Sequence, residues 1–310
     1  MKLLVLLLIV ANSIYVDSCK EKPADQKSTT PKHVKFNGVH YNIHDIDRSL
    51  IMSRDLVEIS GLAYDLKHST LLTVNDELGY LYELNTTTGE IVSKKKFADL
   101  GDYEALEMIN DNEIVISRSN GKLYFYDLAG DKNSTIVRTK LSTSNNIEGI
   151  THVPNENILL IACKGSPRIP GQQDDTKGKL ICAFNLENNF LEEEPYMLIK
   201  DKELKQAVNS IYGNLDLSTN QVEGLEERVD GFSPSGLAIH PHTGELYILS
   251  AKGGLLVVVK KDKSIRHIHF LDLDLNVQAE GICFAPNGDM YISNEGQKGS
   301  GKIHVFNYQK

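Results

Sequence analysis

The chain is poor in cysteine, with four in 310 residues, and none stands in a CxxC or Cys/His spacing that would hold zinc. It is also short of positive charge: 33 Lys and Arg face 42 Asp and Glu, for a formal net charge of −9. No basic cluster is interleaved with aromatics, so nucleic acid is excluded as a partner, and the balance suits a cation or a basic partner. The apolar run from Leu3 to Ala11 falls short of the ~20 residues that a permanent membrane helix requires. A nucleophile elbow is missing too. Gly231-Phe232-Ser233-Pro234-Ser235-Gly236 lacks the Gly-x-Ser-x-Gly spacing and the strand–turn–helix context. What is present is ordinary globular material, 41% hydrophobic and 24% charged, long enough to bury a substantial core.

The N-terminus reads as a separate unit. Lys2 and the apolar run that follows form an export signal. Val16-Asp17-Ser18-Cys19 resembles the lipobox of bacterial lipoproteins, in which the cysteine becomes the lipidated N-terminus. A signal peptide cut elsewhere, with Cys19 incidental, is the alternative. The expected division is a lipoprotein signal peptide at 1–18, a flexible tether at 19–35 and a folded domain at 36–310. The tether is polar, carries two prolines and has no periodicity. Lys20-Glu21-Lys22 resembles the charged start that sends some lipoproteins to the cell exterior. The expected location is the cell envelope of a Gram-negative bacterium, as an outer-membrane lipoprotein, periplasmic or surface-exposed, touching the membrane through its anchor only.

Within the folded domain a single kind of triplet recurs: Ser60-Gly61-Leu62, Glu104-Ala105-Leu106, Glu148-Gly149-Ile150, Ser235-Gly236-Leu237 and Glu280-Gly281-Ile282. Successive spacings are 44, 44, 87 and 45 residues, a period that points to four-stranded propeller blades. Each triplet opens the innermost strand of a blade. The first repeat predicts strands at 61–64, 70–75, 80–84 and 91–97, with Thr86-Thr87-Thr88-Gly89 as the last turn. The alternation over Gly38–Ile43 predicts a further strand that closes the ring on the last blade. The double-length gap holds an insertion, 200–232, in which Leu204, Ala207, Val208 and Ile211 fall at helical spacing and Gly213 ends the helix. The fold class is therefore all-β: a five-bladed β-propeller of four-stranded antiparallel blades with one helical insertion. Six blades, with a degenerate blade between Phe190 and Val229, is the runner-up.

Antiparallel strands put the loops on two faces. The short turns fall on one, and the insertions 165–178, 200–232 and 296–301 fall on the other, where the innermost strands begin. Long loops gathered at one end of a scaffold mark its binding end. The same mouth receives Glu104, Glu148 and Glu280 from the triplets, Asp76 from the first blade and Glu295 from the fifth. Carboxylates facing one axis repel and shift their pKa values upward unless a cation neutralises them. Ca²⁺, which takes six to eight oxygen ligands, is the natural candidate. Arg118, Lys164 and Lys252 occupy positions equivalent to Asp76 or Glu77 and would serve instead as internal neutralisers. His240, His242, His267 and His269 read as surface polar residues, and Cys163, Cys182 and Cys283 as buried small hydrophobes, with a Cys163–Cys182 disulfide open.

Taken in order, Glu58-Ile-Ser-Gly-Leu-Ala with Val74-Asn-Asp-Glu, Asp102-Tyr-Glu-Ala-Leu, Ile147-Glu-Gly-Ile, Pro234-Ser-Gly-Leu-Ala, and Gln278-Ala-Glu-Gly-Ile with Tyr291-Ile-Ser-Asn-Glu resemble the bacterial SdiA-regulated family over about residues 45–308. The resemblance implies a five-bladed, NHL-like propeller with a calcium site and no established catalytic activity, and it favours Glu104, Glu148 and Glu280 as calcium-site residues. The long 200–232 insertion departs from the family's pattern and is placed to cover the channel mouth. The expected function is a monomeric binding module for a protein or cell-surface ligand. The alternative is a calcium-dependent propeller hydrolase, phytase-like or lactonase-like, whose metal activates water.

Overall fold

The computed structural model describes residues 39–309 apart from 131–133, 154, 172–176, 216 and 298. The expected signal peptide, Cys19 and the tether lie outside the described residues. Five antiparallel sheets stand in a ring. The first blade comprises β2 (Ile59–Asp65), β3 (Thr70–Asn75), β4 (Tyr80–Asn85) and β5 (Ile91–Lys96); the second comprises β6 (Tyr103–Asn110), β7 (Glu113–Arg118), β8 (Lys122–Asp127) and β9 (Thr135–Arg138). The third has β10 (Ile147–Val153), β11 (Ile158–Cys163) and β12 (Lys179–Asn185), with two short strands, β13 (Phe190–Leu191) and β14 (Met197–Ile199), sharing the outer position. The fourth is β15 (Gly236–Ile239), β16 (Leu246–Ser250), β17 (Leu255–Val259) and β18 (Ile265–Phe270). The fifth is β19 (Ala279–Phe284), β20 (Met290–Asn294) and β21 (Lys302–Phe306), completed on its outer edge by β1 (Arg48–Ile51) from the N-terminal side. The six-bladed alternative is excluded.

The ring closes as expected, through a different segment. Residues 39–43 form no strand; β1 at 48–51 pairs with β21 instead. The alternation at 39–43 anchors the chain: Tyr41 and Ile43 are buried beneath the fourth and fifth blades, and Tyr41 Oη donates to the Gly288 carbonyl at 2.5 Å.

The triplet's middle residue explains the repeat. A Cβ on Gly61 would lie 2.5 Å from Ala105 Cα, one on Gly149 would lie 3.0 Å from the Gly236 backbone, one on Gly236 would lie 3.1 Å from the Glu280 carbonyl, and one on Gly281 would lie 2.7 Å from the Ser60 carbonyl. Neighbouring innermost strands touch there, backbone to backbone, and glycine is required for space. The two serines that begin triplets tie the same contact: Ser60 Oγ donates to the Glu104 carbonyl at 2.8 Å and Ser235 Oγ to the Ala279 carbonyl at 2.7 Å.

The insertion holds two helices. α1 (Asp201–Tyr212) follows the predicted periodicity, and α2 (Thr219–Val229) is an addition to it. The second helix begins in a capping box, in which Ser218 accepts from the Gln221 N–H and the Gln221 side chain reaches back. The buried faces Leu204, Val208, Tyr212, Leu225 and Val229 join the core shared by the third and fourth blades. α1 lies against β18, where Tyr212 Oη donates to the Ile268 carbonyl at 2.7 Å. The insertion therefore buttresses a blade edge. Tertiary packing also corrects the histidines. His267 and His269, expected on the surface, are buried on β18, and His240 is buried with Nε2 2.8 Å from Tyr41 Oη. Cys163 and Cys182 lie on the neighbouring strands β11 and β12 as buried free thiols.

Gly281→Ala should destabilise the fold by about 1–3 kcal/mol, as overpacking does, because the new methyl collides with Ser293 Oγ and the Ser60 carbonyl that it bonds at 2.8 Å. Thermal unfolding checks this, and a melting temperature equal to wild type would contradict the close-approach explanation. Deleting the chain through Met52 removes β1 and uncovers the β21 edge. Broadened, non-cooperative unfolding or association by size-exclusion chromatography is the expected outcome.

Candidate metal centre

Each triplet glutamate is the extra residue of a β-bulge. In β6, Tyr103 faces Arg118 and Ala105 faces Ser117; in β10, Ile147 faces Cys163 and Gly149 faces Ala162; in β19, Ala279 faces Asn294 and Gly281 faces Ser293. Glu104, Glu148 and Glu280 are thus left without a cross-strand partner in the ladder. A bulge re-aims a side chain where pairing ends. Three blades therefore present a carboxylate at the mouth where the innermost strands begin.

The ends of the second strands reach the same mouth. Asp76 N–H donates to the Glu58 carbonyl at 3.2 Å, Glu295 N–H to the Gln278 carbonyl at 3.0 Å, and Gly296 N–H to the Val57 carbonyl at 2.7 Å. The last of these bonds joins the fifth blade to the first, so Glu295 and Asp76 become electrostatic neighbours, as ring closure demands.

Glu148 and Glu280 are buried, while Glu104, Asp76 and Glu295 are half-buried. Burial, followed by the charge of Glu148 and of Asp102, raises the Glu104 pKa above the usual carboxylate range. Glu148 is raised by burial, against the opposing pull of Lys164. Glu280 is raised by burial, with Lys164 and Gln278 opposing. Glu295 is pushed up to about 8 by burial and then by Glu280, Asp76 and Glu58, and Asp76 to about 6 by burial and then Glu58.

One cation answers this set. Lys164 Nζ lies 3.1 Å from Glu148 Oε2, and although burial works against its charge, Glu148, Glu280 and Glu104 hold it above the usual lysine range. Arg118 lies over the Tyr103 ring at 6.0 Å instead. Four buried oxygens near this mouth, Asp76 Oδ1, Asn120 Oδ1, Glu280 Oε2 and Asn294 Oδ1, have no hydrogen-bond partner among the described residues. Buried acceptors left unpaired are costly. A hard cation is the species that satisfies several oxygens at once.

Sequence reasoning missed the position two residues before each triplet: Glu58, Asp102, Asn146, Ser233 and Gln278. Asn146 Nδ2 donates to Glu148 Oε1 at 2.5 Å, Asp102 accepts from Ser119 Oγ and helps to raise the Glu104 pKa, and Gln278 lowers that of Glu280. All five are polar, and the period of 44 was the available signal. The structure keeps the mouth carboxylates apart, however. Among the described residues, the three possible ligands whose atoms lie within 4.8 Å of one another are Asp65, His68 and Glu83, at the far end of the first blade. That trio is already engaged: His68 Nδ1 sits 2.6 Å from Asp65 Oδ2, and Glu83 accepts from Thr70 and Ser93 at 3.0 and 2.7 Å.

Among solved structures, the chain is similar to Myxococcus xanthus glutaminyl cyclase, at 9% identity and a TM-score of 0.54, over 86% of this chain and 97% of that one. It also matches a structure of a nidogen/laminin complex (12% identity, TM-score 0.45, 76% and 72% covered) and a luciferin-regenerating enzyme (9%, 0.47, 81% and 91%). At 9% identity the likeness to the cyclase speaks to the fold alone, and nothing rests on the other two. No curated protein matches the chain. The SdiA-regulated family model matches residues 40–297, a span that takes in all five triplets and the mouth carboxylates, and the chain belongs to that family.

Proposed function

We propose that the protein is an exported, lipid-anchored binding module that holds Ca²⁺ at the carboxylate-lined mouth and uses that face to bind a protein or cell-surface ligand. The observation that carries the reading is that ring closure makes Glu280 and Asp76 electrostatic neighbours of Glu295 at one mouth, with Glu280 Oε2 and Asp76 Oδ1 unpaired among the described residues. Glu104 and Glu148 complete the acidic set, and Lys164 supplies one positive charge against it. The donor set is all oxygen, as Ca²⁺ prefers. Bound Ca²⁺ would neutralise the mouth and offer oxygen ligands on a partner a place to bind. The protein's own residues orient that site: the bulges aim the glutamates, and Asn146 holds Glu148 in place.

The partner reading rests on the described parts of two loops, 165–171 and 299–301, which leave the strand ends on this face with the acidic set. The anchor reading rests on the Ser18-Cys19 sequence alone. A screen of phosphomonoesters, lactones and aryl esters with Ca²⁺ present tests the hydrolase alternative. Turnover that disappears in Glu280→Gln would replace the binding-module reading.

The purified domain should melt at a higher temperature in Ca²⁺ than in EDTA, and Glu280→Gln should remove most of that increment. An increment of zero in wild type sinks the cation site. The pH dependence has a definite sign. A carboxyl whose folded pKa lies above its unfolded value binds more protons in the native state, so stability falls as pH rises through the window between them. For Asp76 at about 6 and Glu295 at about 8, the chain in EDTA should lose stability steadily from about pH 4 to pH 8. The Ca²⁺ increment should grow over the same range. A pH-independent increment, read by the same thermal scans, would contradict the assignment to these groups.

A further inference from the structure

The opposite mouth of the channel opens into a cavity of about 550 Å³. Its walls come from the far ends of the five innermost strands, and it runs outward between the third and fourth blades past Leu160 and Tyr196. Three residues after the start of each triplet the sequence places Ala63, Glu107, Thr151, Ala238 and Cys283. The last four of these line the cavity. One position of the ring is therefore ionisable as a carboxylate, Glu107, set among small and weakly polar neighbours.

Glu107 is held by two hydrogen bonds. Thr151 Oγ1 donates to Oε2 at 3.0 Å and the Met108 N–H donates to Oε1 at 3.0 Å. No Lys or Arg forms an ion pair with it among the described residues. Burial pushes its pKa up to about 7, against the pull of its donors, Thr151 first. The cavity wall also carries the rings of Tyr64 and Phe284, together with Glu156, Lys260 and Lys261. A carboxylate accepts roughly four hydrogen bonds, so lone-pair capacity remains for a donor arriving from the cavity. A volume of this size suits a small organic ligand with an apolar body and a single polar anchor.

We propose that this second mouth is a binding site for a small organic amine, with Glu107 accepting the ammonium group and the apolar body lying along the wall beside Tyr64 and Phe284. The site is independent of the acidic mouth. An ammonium donates to the free lone pair and supplies the positive charge that Glu107 lacks, and aromatic faces favour the same cation. An anionic head group would meet the carboxylate itself. An alcohol would gain one neutral hydrogen bond and no charge pairing.

Three probes with the same body separate these cases: phenethylamine, 2-phenylethanol and 3-phenylpropionate. Isothermal titration calorimetry of the whole folded domain at pH 8, in EDTA so that the acidic mouth does not report divalent ions, should show phenethylamine binding about tenfold or more tighter than 2-phenylethanol, as expected for a charge-assisted bond. 3-Phenylpropionate should be weakest. Glu107→Gln should reduce phenethylamine affinity to that of the alcohol, with an unchanged circular dichroism spectrum to confirm folding. If that variant fails to fold, the order of the three probes on the wild-type chain decides alone. No heat from phenethylamine up to about 10 mM, equal affinity for amine and alcohol, or undiminished amine binding in a folded Glu107→Gln domain would overturn the proposal.

Discussion

The structure depends on one contact: five innermost strands meet around an axis closely enough that the second residue of each triplet has almost no room for a side chain. Four of the five positions are glycine and the fifth is Ala105. Because backbone touches backbone there, the residue just before is forced to the channel's rim. In three blades it is also the unpaired residue of a bulge. A packing requirement thus sets the position of the chemistry. Where that rim residue is serine, its hydroxyl is consumed by the neighbouring strand. Where it is glutamate, a carboxylate is delivered to the mouth.

The two ends of the same strands have different electrostatics. At the first mouth carboxylates accumulate from four blades, with Lys164 between Glu148, Glu280 and Glu104. Like charges in a partly dry site raise one another's pKa values and make the mouth receptive to a multivalent cation. At the second mouth Glu156, Lys260 and Lys261 also line the wall, but the Glu107 pKa is raised by burial and not by like charge. That is a site for one positive group and not for a metal, which would need several oxygens. The contrast arises three residues along the same strands, between Glu-Glu-Glu and Glu-Thr-Cys in the second, third and fifth blades.

Most of the architecture is legible in the sequence because a propeller repeats its constraints. The period of 44 yields the blade count, and the turn residues set the strand limits in the first blade to within one or two residues. Features outside the repeat are harder to read. The closing strand β1 buries Leu50 and leaves its other residues exposed, so its alternation is faint, whereas Tyr41 and Ile43 alternate well and serve as anchors without forming a strand. His267 and His269 are buried opposite Val258 and Leu256, in the face that Tyr41 and Ile43 help to cover, a tertiary event that no local pattern carries. The second helix has a readable signal, Ser218 with Gln221, although the apolar periodicity of the insertion points only to the first. At the site, spacing reveals the triplet glutamates, while Asp102 and Glu58 escape because they precede the residue on which the repeat is aligned.

The central claim is that the acidic mouth is a divalent-cation site assembled by ring closure between the fifth and first blades. Crystals of the folded domain grown in Ca²⁺, with anomalous scattering recorded at a long wavelength, test it most directly. The predicted result is an anomalous peak within bonding distance of Glu280 and of Asp76 or Glu295. A well-ordered mouth with no peak, and with Lys164 alone spanning Glu148 and Glu280, would contradict it.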